Sequence, residues 1–430
     1  MTLRPVVPDR AACIAALQEI LRASADGEAS TQRWVAERLG RLDGEVEEIS
    51  FSPPSLQTDC DFSASGLVDP AKRIAVVGRF EAAPGGHPSL LIFAHPDAEP
   101  PRNPTGWHHE PFAGAIEHGR LYGWGVADDL AGVAAMICAL ETLAAESLRP
   151  SRTVIASSAP SKRGARGIVA VLSRWGADAA LYLHPAESGG GLGEIKAISP
   201  GILRFRITVE GQPPPTGEPE QTPFHHMTIN PIDRVWTIAA ALRALDDHRA
   251  RNRRHPLFER AVGRSTNLMV AHVQGGSRLA LNRVPASCEV AGSISFPPDE
   301  TPQDVQGQIE AAVREAAGPN GRLQQASPRV EWLEGIAGAE VPLDHPFYRT
   351  VSAAIHAVTG RTPSPYALHA ASDIRHPMLR AGIPCVGIGS LAGNLVQAGC
   401  TDEWVDVEDF VRLVSVTARV IMDWCGVHAV

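Results

Sequence analysis

Short apolar runs alternate with helix-like segments in the first and last thirds of the chain. Segment 10–40 repeats its apolar residues at steps of three and four, which is typical of helices. Ala131–Ala145 has the composition of a buried helix. Apolar runs of strand length occur at 74–77, 89–94, 153–156 and 180–183. Because strands alternate with helices, the pattern predicts an α/β fold with a mostly parallel sheet and helices on both faces.

The pattern changes near residue 200, where the predicted strands begin to show one polar face. Segment 203–209 alternates apolar and polar residues, and 212–223 has the proline, glycine and glutamate content of a surface loop. The next predicted elements are a helix at 232–245, strands at 267–273 and 286–295, and a helix at 302–316. We therefore predict a smaller α+β domain at 201–332, inserted into a domain formed by 1–200 and 333–430.

The composition is that of a folded globular protein without a framework of disulfide bonds. Of the 430 residues, 44% are hydrophobic and 20% are charged. The formal net charge of -9 argues against a general nucleic-acid-binding or anionic-membrane-binding surface. No apolar run reaches the ~20 residues that span a bilayer, and the start of the chain lacks the layout of a secretory signal. The seven cysteines form no CxxC pair, so we predict a cytoplasmic protein in a reducing compartment.

Candidate chemistry begins where the strand at 89–94 ends. His95 and Asp97 follow that strand directly, and α/β sheets bind ligands at the carboxyl ends of their strands. A histidine can bind a metal through one ring nitrogen while a carboxylate orients the other, although a helix-capping or core histidine is the alternative. Asp128 and Asp129 then precede the buried helix, where one can cap the helix while the other points into a site.

Together these motifs resemble a known family of hydrolases. In chain order, the matching motifs are His95-x-Asp97, Trp107, Pro111-Phe112, the Gly-Arg-Leu-Tyr-Gly run at 119–123, Asp128-Asp129, Gly275-Gly276, Asn-Arg-Val-Pro at 282–285, Ser-Asp-Ile-Arg at 372–375, Ala-Gly-Ile-Pro at 381–384 and Asp-Glu-Trp-Val at 402–405. The series resembles the aminoacylase, acetylornithine deacetylase and succinyl-diaminopimelate desuccinylase family of two-zinc amidohydrolases and exopeptidases. The resemblance implies a zinc-peptidase domain that is interrupted by a smaller lid or dimerisation domain.

The resemblance implies that a first metal site is complete. His95 and Asp128 match the first two ligands of the family, and His184, which follows the strand at 180–183 and precedes a proline, matches the third. Two imidazoles and one carboxylate suit zinc, manganese or iron and leave room for water. We therefore expect one divalent transition metal per chain at these three residues.

The second metal site of the family is not retained in this sequence. The family's Glu-Glu pair, a general base followed by a ligand, falls at Ser161-Lys162, and its C-terminal histidine falls at Gly399. Lys162 would place a cation near the vacated position and replace part of the missing charge, although a solvated loop lysine is the alternative. We expect Asp97, Ser161 and Lys162 in the catalytic neighbourhood, with Glu187 as a candidate proton carrier.

Candidate substrate-binding residues come mainly from the predicted insert. We expect a small-molecule substrate that bears a carboxylate, which Arg283 or Arg375 can bind bidentately. Asn282 belongs to the same motif as Arg283. His225 or His226 can serve as the lid histidine of the family, although surface-loop positions are the alternative. The resemblance also implies a homo-oligomer formed through the inserted domain, and no nucleic-acid or membrane partner is expected.

The residues predict hydrolysis of a C–N bond by water that one metal activates. Without the second metal and the glutamate base, the favoured substrate stores the incoming charge within itself, as an electron-poor aromatic amine does. The family supplies a precedent in nitroanthranilate aminohydrolase, so the leading prediction is conversion of 5-nitroanthranilate to 5-nitrosalicylate and ammonia. The alternatives are a conventional amidase or exopeptidase acting on N-acyl amino acids or dipeptides, another one-metal C–N hydrolysis, and a non-catalytic relative that binds a small molecule or a partner.

Overall fold

The computed structural model separates the chain into two units. It describes residues 6–81, 88–98, 105–185, 188–317, 327–367, 371–393 and 401–429. The first unit comprises Met1–Leu56, Ser65–Ser199 and Ala339–Val430, and the second comprises Gln57–Ala64 and Pro200–Gly338. The second unit thus extends beyond the predicted insert of 201–332 and includes a short segment from much earlier in the chain.

Helices and strands alternate through both units. In the described residues the helices are α1 (Arg10–Ser24), α2 (Glu28–Gly40), α3 (Ala131–Ala145), α4 (Gly167–Leu172), α5 (Pro231–Asn252), α6 (Pro256–Val262), α7 (Pro302–Ala317), α8 (Pro346–Thr359), α9 (Arg375–Ala381) and α10 (Val407–Cys425). The strands are β1 (Glu45–Phe51), β2 (Asp61–Ser63), β3 (Arg73–Phe80), β4 (Leu90–Ala94), β5 (Ala115–Glu117), β6 (Arg120–Tyr122), β7 (Leu148–Pro150), β8 (Val154–Ser158), β9 (Ala179–Leu183), β10 (Glu194–Lys196), β11 (Ile198–Ser199), β12 (Gly201–Glu210), β13 (Asn267–Gly275), β14 (Ser287–Phe296), β15 (Arg329–Ile336), β16 (Ala339–Glu340), β17 (Ser364–Tyr366), β18 (Cys385–Ile388), β19 (Ala392–Gly393), β20 (Trp404–Asp406) and β21 (Val427–Ala429). None of the described helices combines the length and the apolar character needed to cross a membrane.

An eight-stranded mixed sheet forms the centre of the first unit. Its strand order is β1–β3–β8–β4–β9–β18–β10–β17. The central pairs β4–β8, β4–β9 and β9–β18 are parallel, whereas β1–β3, β3–β8 and β10–β18 are antiparallel. The predicted α/β fold is confirmed. Parallel pairing holds for the centre of the sheet, while antiparallel strands flank it.

Helices cover both faces of this sheet because its central strands are apolar on both sides. Along β4, Leu90, Ile92 and Ala94 belong to one apolar core together with residues of α1, α3, α8 and α10. Leu91 and Phe93 belong to a second core together with residues of α4. Burial of all five side chains explains why the sequence shows β4 as a continuous apolar run.

The second unit is a five-stranded antiparallel sheet with helices on one face. Its strand order is β13–β14–β12–β15–β2. Leu242 of α5 and Ile309 of α7 pack with Phe205 and Val290 of the sheet in one core. This arrangement accounts for the alternating pattern at 203–209, because a sheet covered on one face keeps polar side chains on the other.

Strand β2 is a feature that the sequence did not predict. It pairs with residues 334–336 of β15 and so joins the sheet of the second unit, although it lies far from the rest of that unit in sequence. Gly335 makes close contact possible, since a Cβ at this position would collide with the ring of Phe62. A strand of three residues is too short for its periodicity to be recognised.

Most of the predicted elements are present, with changed ends. The helix predicted at Ala131–Ala145 has those limits. The helical segment predicted at 10–40 is two helices, because Gly27 takes a φ of 91° between α1 and α2. Helix α5 continues to Asn252, beyond the predicted end at 245.

A buried ion pair ties α5 to the loop before α7 in the second unit. The Arg249 guanidinium donates to Glu300 at 3.0 and 2.6 Å, and both side chains are nearly inaccessible to solvent. Arg249 also donates to Thr266 at 3.2 Å and to Gln308 at 2.6 Å. These bonds satisfy a charge that would otherwise be costly to bury.

Removal of one partner should therefore destabilise the second unit. We expect Glu300→Ala to lower the free energy of unfolding by about 3–5 kcal/mol, because it leaves Arg249 buried and unpaired. The matched control is Glu331→Ala, which removes the exposed partner of Arg206 and should cost less than about 1 kcal/mol. Urea unfolding followed by tryptophan fluorescence measures both variants, and equal losses of stability would contradict the expectation.

Candidate metal centre

Three neighbouring parallel strands end at the same edge of the first unit's sheet. His95 follows β4 directly, His184 follows β9 directly, and β8 leads to Ser161 and Lys162. Strand β4 pairs with β8 on one side and with β9 on the other. Parallel pairing therefore brings these four residues to one edge, where α/β sheets bind ligands.

Asp128 reaches this edge from the turn that precedes α3. Val126–Leu130 forms a wide helical turn in which Asp128 and Asp129 have non-helical backbone angles. The Oδ1 atom of Asp128 lies 3.0 Å from Nε2 of His95 and 3.0 Å from Nε2 of His184. Asp129 is buried, and its Oδ2 accepts the backbone N–H of His95 at 3.3 Å. Helix α3 has no side-chain cap, so neither aspartate has the capping role that the sequence left open.

His95, Asp128 and His184 have the geometry of a metal-binding set. One donor atom of each residue lies within 4.8 Å of the donor atoms of the other two. Ligands about 2.1 Å from a tetrahedral ion lie about 3.4 Å apart, so one ion fits among these atoms. The Nε2 atom of His95 is buried and faces Oδ1 of Asp128 at 3.0 Å without a well-aligned hydrogen bond, and a metal ion between the two atoms would satisfy both. The three residues therefore fit one divalent ion with nitrogen and oxygen ligands.

A backbone carbonyl orients His95 for binding through Nε2. The Nδ1 atom of His95 lies 2.9 Å from the carbonyl oxygen of Asp97, and an Nδ1–H that donates to this carbonyl leaves the Nε2 lone pair for a metal. The Nδ1 atom of His184 lies 2.9 Å from the carbonyl oxygen of Pro185 and 2.7 Å from the Lys196 ammonium. Although burial favours the neutral ring, the carboxylates of Asp128 and Asp97 raise the pKa of His95 to about 10. A bound ion must displace this proton.

Lys162 binds the other oxygen of the Asp128 carboxylate. Its Nζ atom lies 2.6 Å from Oδ2 of Asp128, and both side chains are partly buried. Burial opposes both charges, but the pair outweighs burial. The pKa of Asp128 is held well below its ordinary value, and the pKa of Lys162 is raised. Lys162 is thus an ion-paired side chain of the site rather than a solvated loop lysine.

Hydrogen bonds to two aspartates fix the loop that carries Ser161 and Lys162. The Asp97 carboxylate accepts the backbone N–H groups of Ser161 at 2.9 Å and of Lys162 at 2.7 Å. Arg73 donates to Asp97 at 2.8 Å and to the carbonyl oxygen of Lys162 at 3.1 Å. The hydroxyl of Ser161 donates to Asp373 at 2.6 Å. Asp97 therefore anchors this loop in addition to orienting the histidine two residues before it.

Glu403 holds the turn that carries Asp128. Its carboxylate is buried and accepts the backbone N–H groups of Gly125 at 3.1 Å, Ala127 at 2.6 Å and Asp128 at 3.1 Å. Burial and then the nearby Asp128 charge raise the pKa of Glu403 to about 7, against the effect of these donors. Glu403 thus fixes the position of the shared carboxylate without contacting the histidines.

Comparison with known proteins assigns the chain to a family. Residues 91–423 match the model of peptidase family M20/M25/M40. The chain belongs to this family. The M20/M25/M40 relationship confirms the resemblance seen in the sequence motifs, and it makes the protein a metal-dependent hydrolase that acts on C–N bonds.

Individual relatives cover nearly the whole chain. The sequence is 28% identical over 391 residues to succinyl-diaminopimelate desuccinylase of Rhodopseudomonas palustris, and the match spans 89% of this chain and 92% of the relative. The structure of aminopeptidase PepT from Bacillus cereus has a TM-score of 0.70 at 17% identity and covers 96% of this chain and 98% of that one. The Bacillus subtilis YXEP protein, described as a dinuclear metal-binding M20 peptidase, has a TM-score of 0.62 at 17% identity, over 96% and 99% of the two chains.

The described residues of this M20/M25/M40 member contain one metal-binding group of three, His95, Asp128 and His184. The sequence resemblance puts the family's Glu-Glu pair at Ser161 and Lys162, and this correspondence stays a prediction. In the structure, Lys162 offers an ammonium to the shared carboxylate, whereas the Ser161 hydroxyl donates to Asp373. Gly399 and Glu187 lie outside the described residues, so the expectations for them stay predictions.

The predicted substrate-binding residues fall into two groups. Asn282, Arg283 and His225 line one pocket of about 280 Å³ in the second unit, whereas His226 is exposed beside it in sequence and does not line it. Arg375 is buried in the first unit and donates to Asp373 at 3.0 Å. This ion pair makes Arg375 a support for the aspartate that Ser161 contacts, and binding of a substrate carboxylate by Arg375 stays a prediction.

Several residues of the site were not predicted from the sequence. Arg73 bridges Glu28 and Asp97, and nothing in its local sequence indicates this contact. Lys196 is buried, with its Nζ 2.7 Å from Nδ1 of His184. The sequence feature that could have drawn attention to Lys196 is the rarity of lysine in this chain. Glu403 belongs to a motif recognised in the sequence, but its three backbone bonds appear only in the fold.

Removal of either histidine ligand should abolish tight metal binding. We expect His95→Ala and His184→Ala to lose the metal content of the purified chain, because two remaining ligands hold a divalent ion weakly. His118→Ala, at an exposed histidine of the same unit, is the control and should keep its metal. Elemental analysis after dialysis measures the content; a His184→Ala protein with unchanged metal would show that the ion binds elsewhere.

Glu403 should affect metal affinity through the turn that it holds. We expect Glu403→Gln to weaken metal binding by about 10–100-fold, because the amide replaces an oxygen that accepts backbone N–H groups. Glu408→Gln, at an exposed glutamate that pairs with Arg10, is the matched control. Competition with a metal-binding dye gives the dissociation constants. If both variants bind metal as the unchanged chain does, Glu403 does not position Asp128.

Proposed function

We propose that this protein hydrolyses the amide bond of a small, carboxylate-bearing amide, such as an N-acyl amino acid or a dipeptide, with a single divalent transition metal. The observation that supports this proposal is the meeting of His95, Asp128 and His184 at the strand ends of an M20/M25/M40 family fold. The relatives named above are a desuccinylase and peptidases, all of which act on amide bonds.

Different residues of the site bind the metal ion and orient its ligands. A divalent ion at this position supplies Lewis acidity that polarises a carbonyl and acidifies water. His95, Asp128 and His184 hold it, and Asp97 keeps the ring of His95 in the orientation that leaves Nε2 available. The reaction consumes one water, the C–N bond breaks, and the amine leaves with a proton. Ser161 is not suited to be the base, because its hydroxyl already donates to Asp373.

The second unit contains a candidate anion-binding pocket of its own. Asn282, Arg283 and His225 line a pocket of about 280 Å³, which is close in size to the smaller ligand pockets of proteins. A guanidinium binds a carboxylate through two parallel hydrogen bonds, and an amide and an imidazole add further donors. This set suits a ligand that bears a carboxylate.

Hydrolytic deamination of an electron-poor aromatic amino acid is the second candidate. It is favoured by the Ser161-Lys162 pair, because a site without the glutamate base suits an electrophile that accepts charge into its own ring. The relatives favour amide cleavage instead, since those named above are peptidases and a desuccinylase. Amide hydrolysis is therefore placed before conversion of 5-nitroanthranilate.

A substrate panel distinguishes the two reactions. We expect the metal-loaded protein to consume N-acyl amino acids, N-succinyl-diaminopimelate or dipeptides with release of a primary amine. The His184→Ala variant should be inactive although it is folded to the same extent as the unchanged chain. Release of ammonia from 5-nitroanthranilate, with no amide consumed, would favour the second candidate. A metal-loaded protein that turns over neither class would contradict both.

A further inference from the structure

Lysine is rare in this chain, and its positions are not random. The chain has three lysines, Lys72, Lys162 and Lys196, among 39 lysine and arginine residues. Lys162 binds the ligand Asp128 at 2.6 Å, and Lys196 lies 2.7 Å from the ligand His184. Lys72 is exposed. Two of the three lysines thus contact the metal-binding set, in a protein that uses arginine almost everywhere else.

The two oxygens of Asp128 have different partners. Oδ1 faces the Nε2 atoms of both histidines, and Oδ2 faces the Lys162 ammonium. A carboxylate that bridges two metal ions gives one oxygen to each of them. In this chain the oxygen that would face a second ion is bound by a cation that belongs to the protein. An ammonium carries three donors and no acceptor, so it cannot act as a ligand itself.

The position of this ammonium is fixed by the fold. Asp97 holds the backbone N–H groups of Ser161 and Lys162, Arg73 holds the carbonyl oxygen of Lys162, and Asp373 holds the hydroxyl of Ser161. These four polar groups next to the Lys162 side chain therefore each have a partner from another element. A side chain on such a loop is held in place before a substrate arrives.

A ligand can reach Lys162 from a cavity of the first unit. The cavity has a volume of about 760 Å³, and Arg73, Asp97, Trp124 and Lys162 are among the residues that line it. The Lys162 side chain is 18% exposed and lines this cavity. The ammonium can therefore bind Asp128 and still offer a donor to a second negatively charged oxygen.

We propose that Lys162 is a catalytic residue that takes the place of a second metal ion. Its ammonium binds the Asp128 oxygen that would face a second ion, and it binds the substrate oxygen that gains negative charge during attack by water. This inference rests on the proposed hydrolysis, but it concerns the second cation and not the bond that is cleaved. The residues at 161 and 162 do not fit a second ion, since they provide neither a carboxylate nor an imidazole.

Metal stoichiometry is the first test and does not depend on activity. The full chain is saturated with Mn²⁺ or Zn²⁺, freed of loosely bound metal by gel filtration, and measured by elemental analysis and by calorimetric titration. We expect one ion per chain. Two tightly bound ions per chain would overturn the inference while leaving metal-dependent hydrolysis intact.

Chemical rescue is the second test and separates catalysis from structural support. We expect Lys162→Ala to lower kcat by about 10²–10³-fold, with its metal content still one per chain, because one preorganised charge donor is lost. Methylammonium added to this variant should restore part of kcat. Lys162→Met fills the same space without a charge, so it should lose kcat and not be rescued.

Arg10→Ala is the control, since it removes an exposed cation of the same unit away from this cavity and should leave kcat unchanged. Unchanged kcat in Lys162→Ala, or a loss that methylammonium does not reverse although metal content and melting temperature are preserved, would overturn the catalytic role. Failure of the proposed function looks different: the unchanged chain would then bind metal and hydrolyse no amide.

Discussion

The rest of the site depends on how one partly buried carboxylate is shared. Asp128 gives Oδ1 to His95 and His184 and Oδ2 to Lys162. A carboxylate removed from water needs partners for both oxygens, because an unpaired charge in such surroundings is costly. The pairing therefore decides which ligands face a metal, and it sets how much positive charge the site already contains before any ion is bound.

The position of Asp128 is determined by backbone geometry on two sides. Parallel pairing of β4 with β8 and β9 fixes where His95, Lys162 and His184 leave the sheet. Glu403 then fixes the turn before α3 through three backbone N–H groups. Groups on these separate elements meet within hydrogen-bond distance, which explains why a site of few residues needs the support of an entire sheet.

The sequence predicted the parts of this site that follow from local patterns. His95 and His184 each come directly after an apolar run that reads as a strand, so their meeting follows from the rule for strand ends. Arg73 and Lys196 follow no such rule, because their contacts depend on pairing between strands and loops that are distant in sequence. The local sequence likewise did not show that Arg375 pairs with Asp373 inside the fold.

Strand β2 has a consequence for how the two units can be studied. The chain leaves the first unit after Leu56, contributes β2 to the other sheet, returns at Ser65, and leaves again at Pro200. A fragment that begins at residue 200 would therefore lack an edge strand, and the backbone groups at 334–336 that pair with it would be open. Open sheet edges pair with other chains, so such a fragment would be prone to self-association. A cut at residue 200 would therefore expose the β15 edge that β2 covers in the full chain.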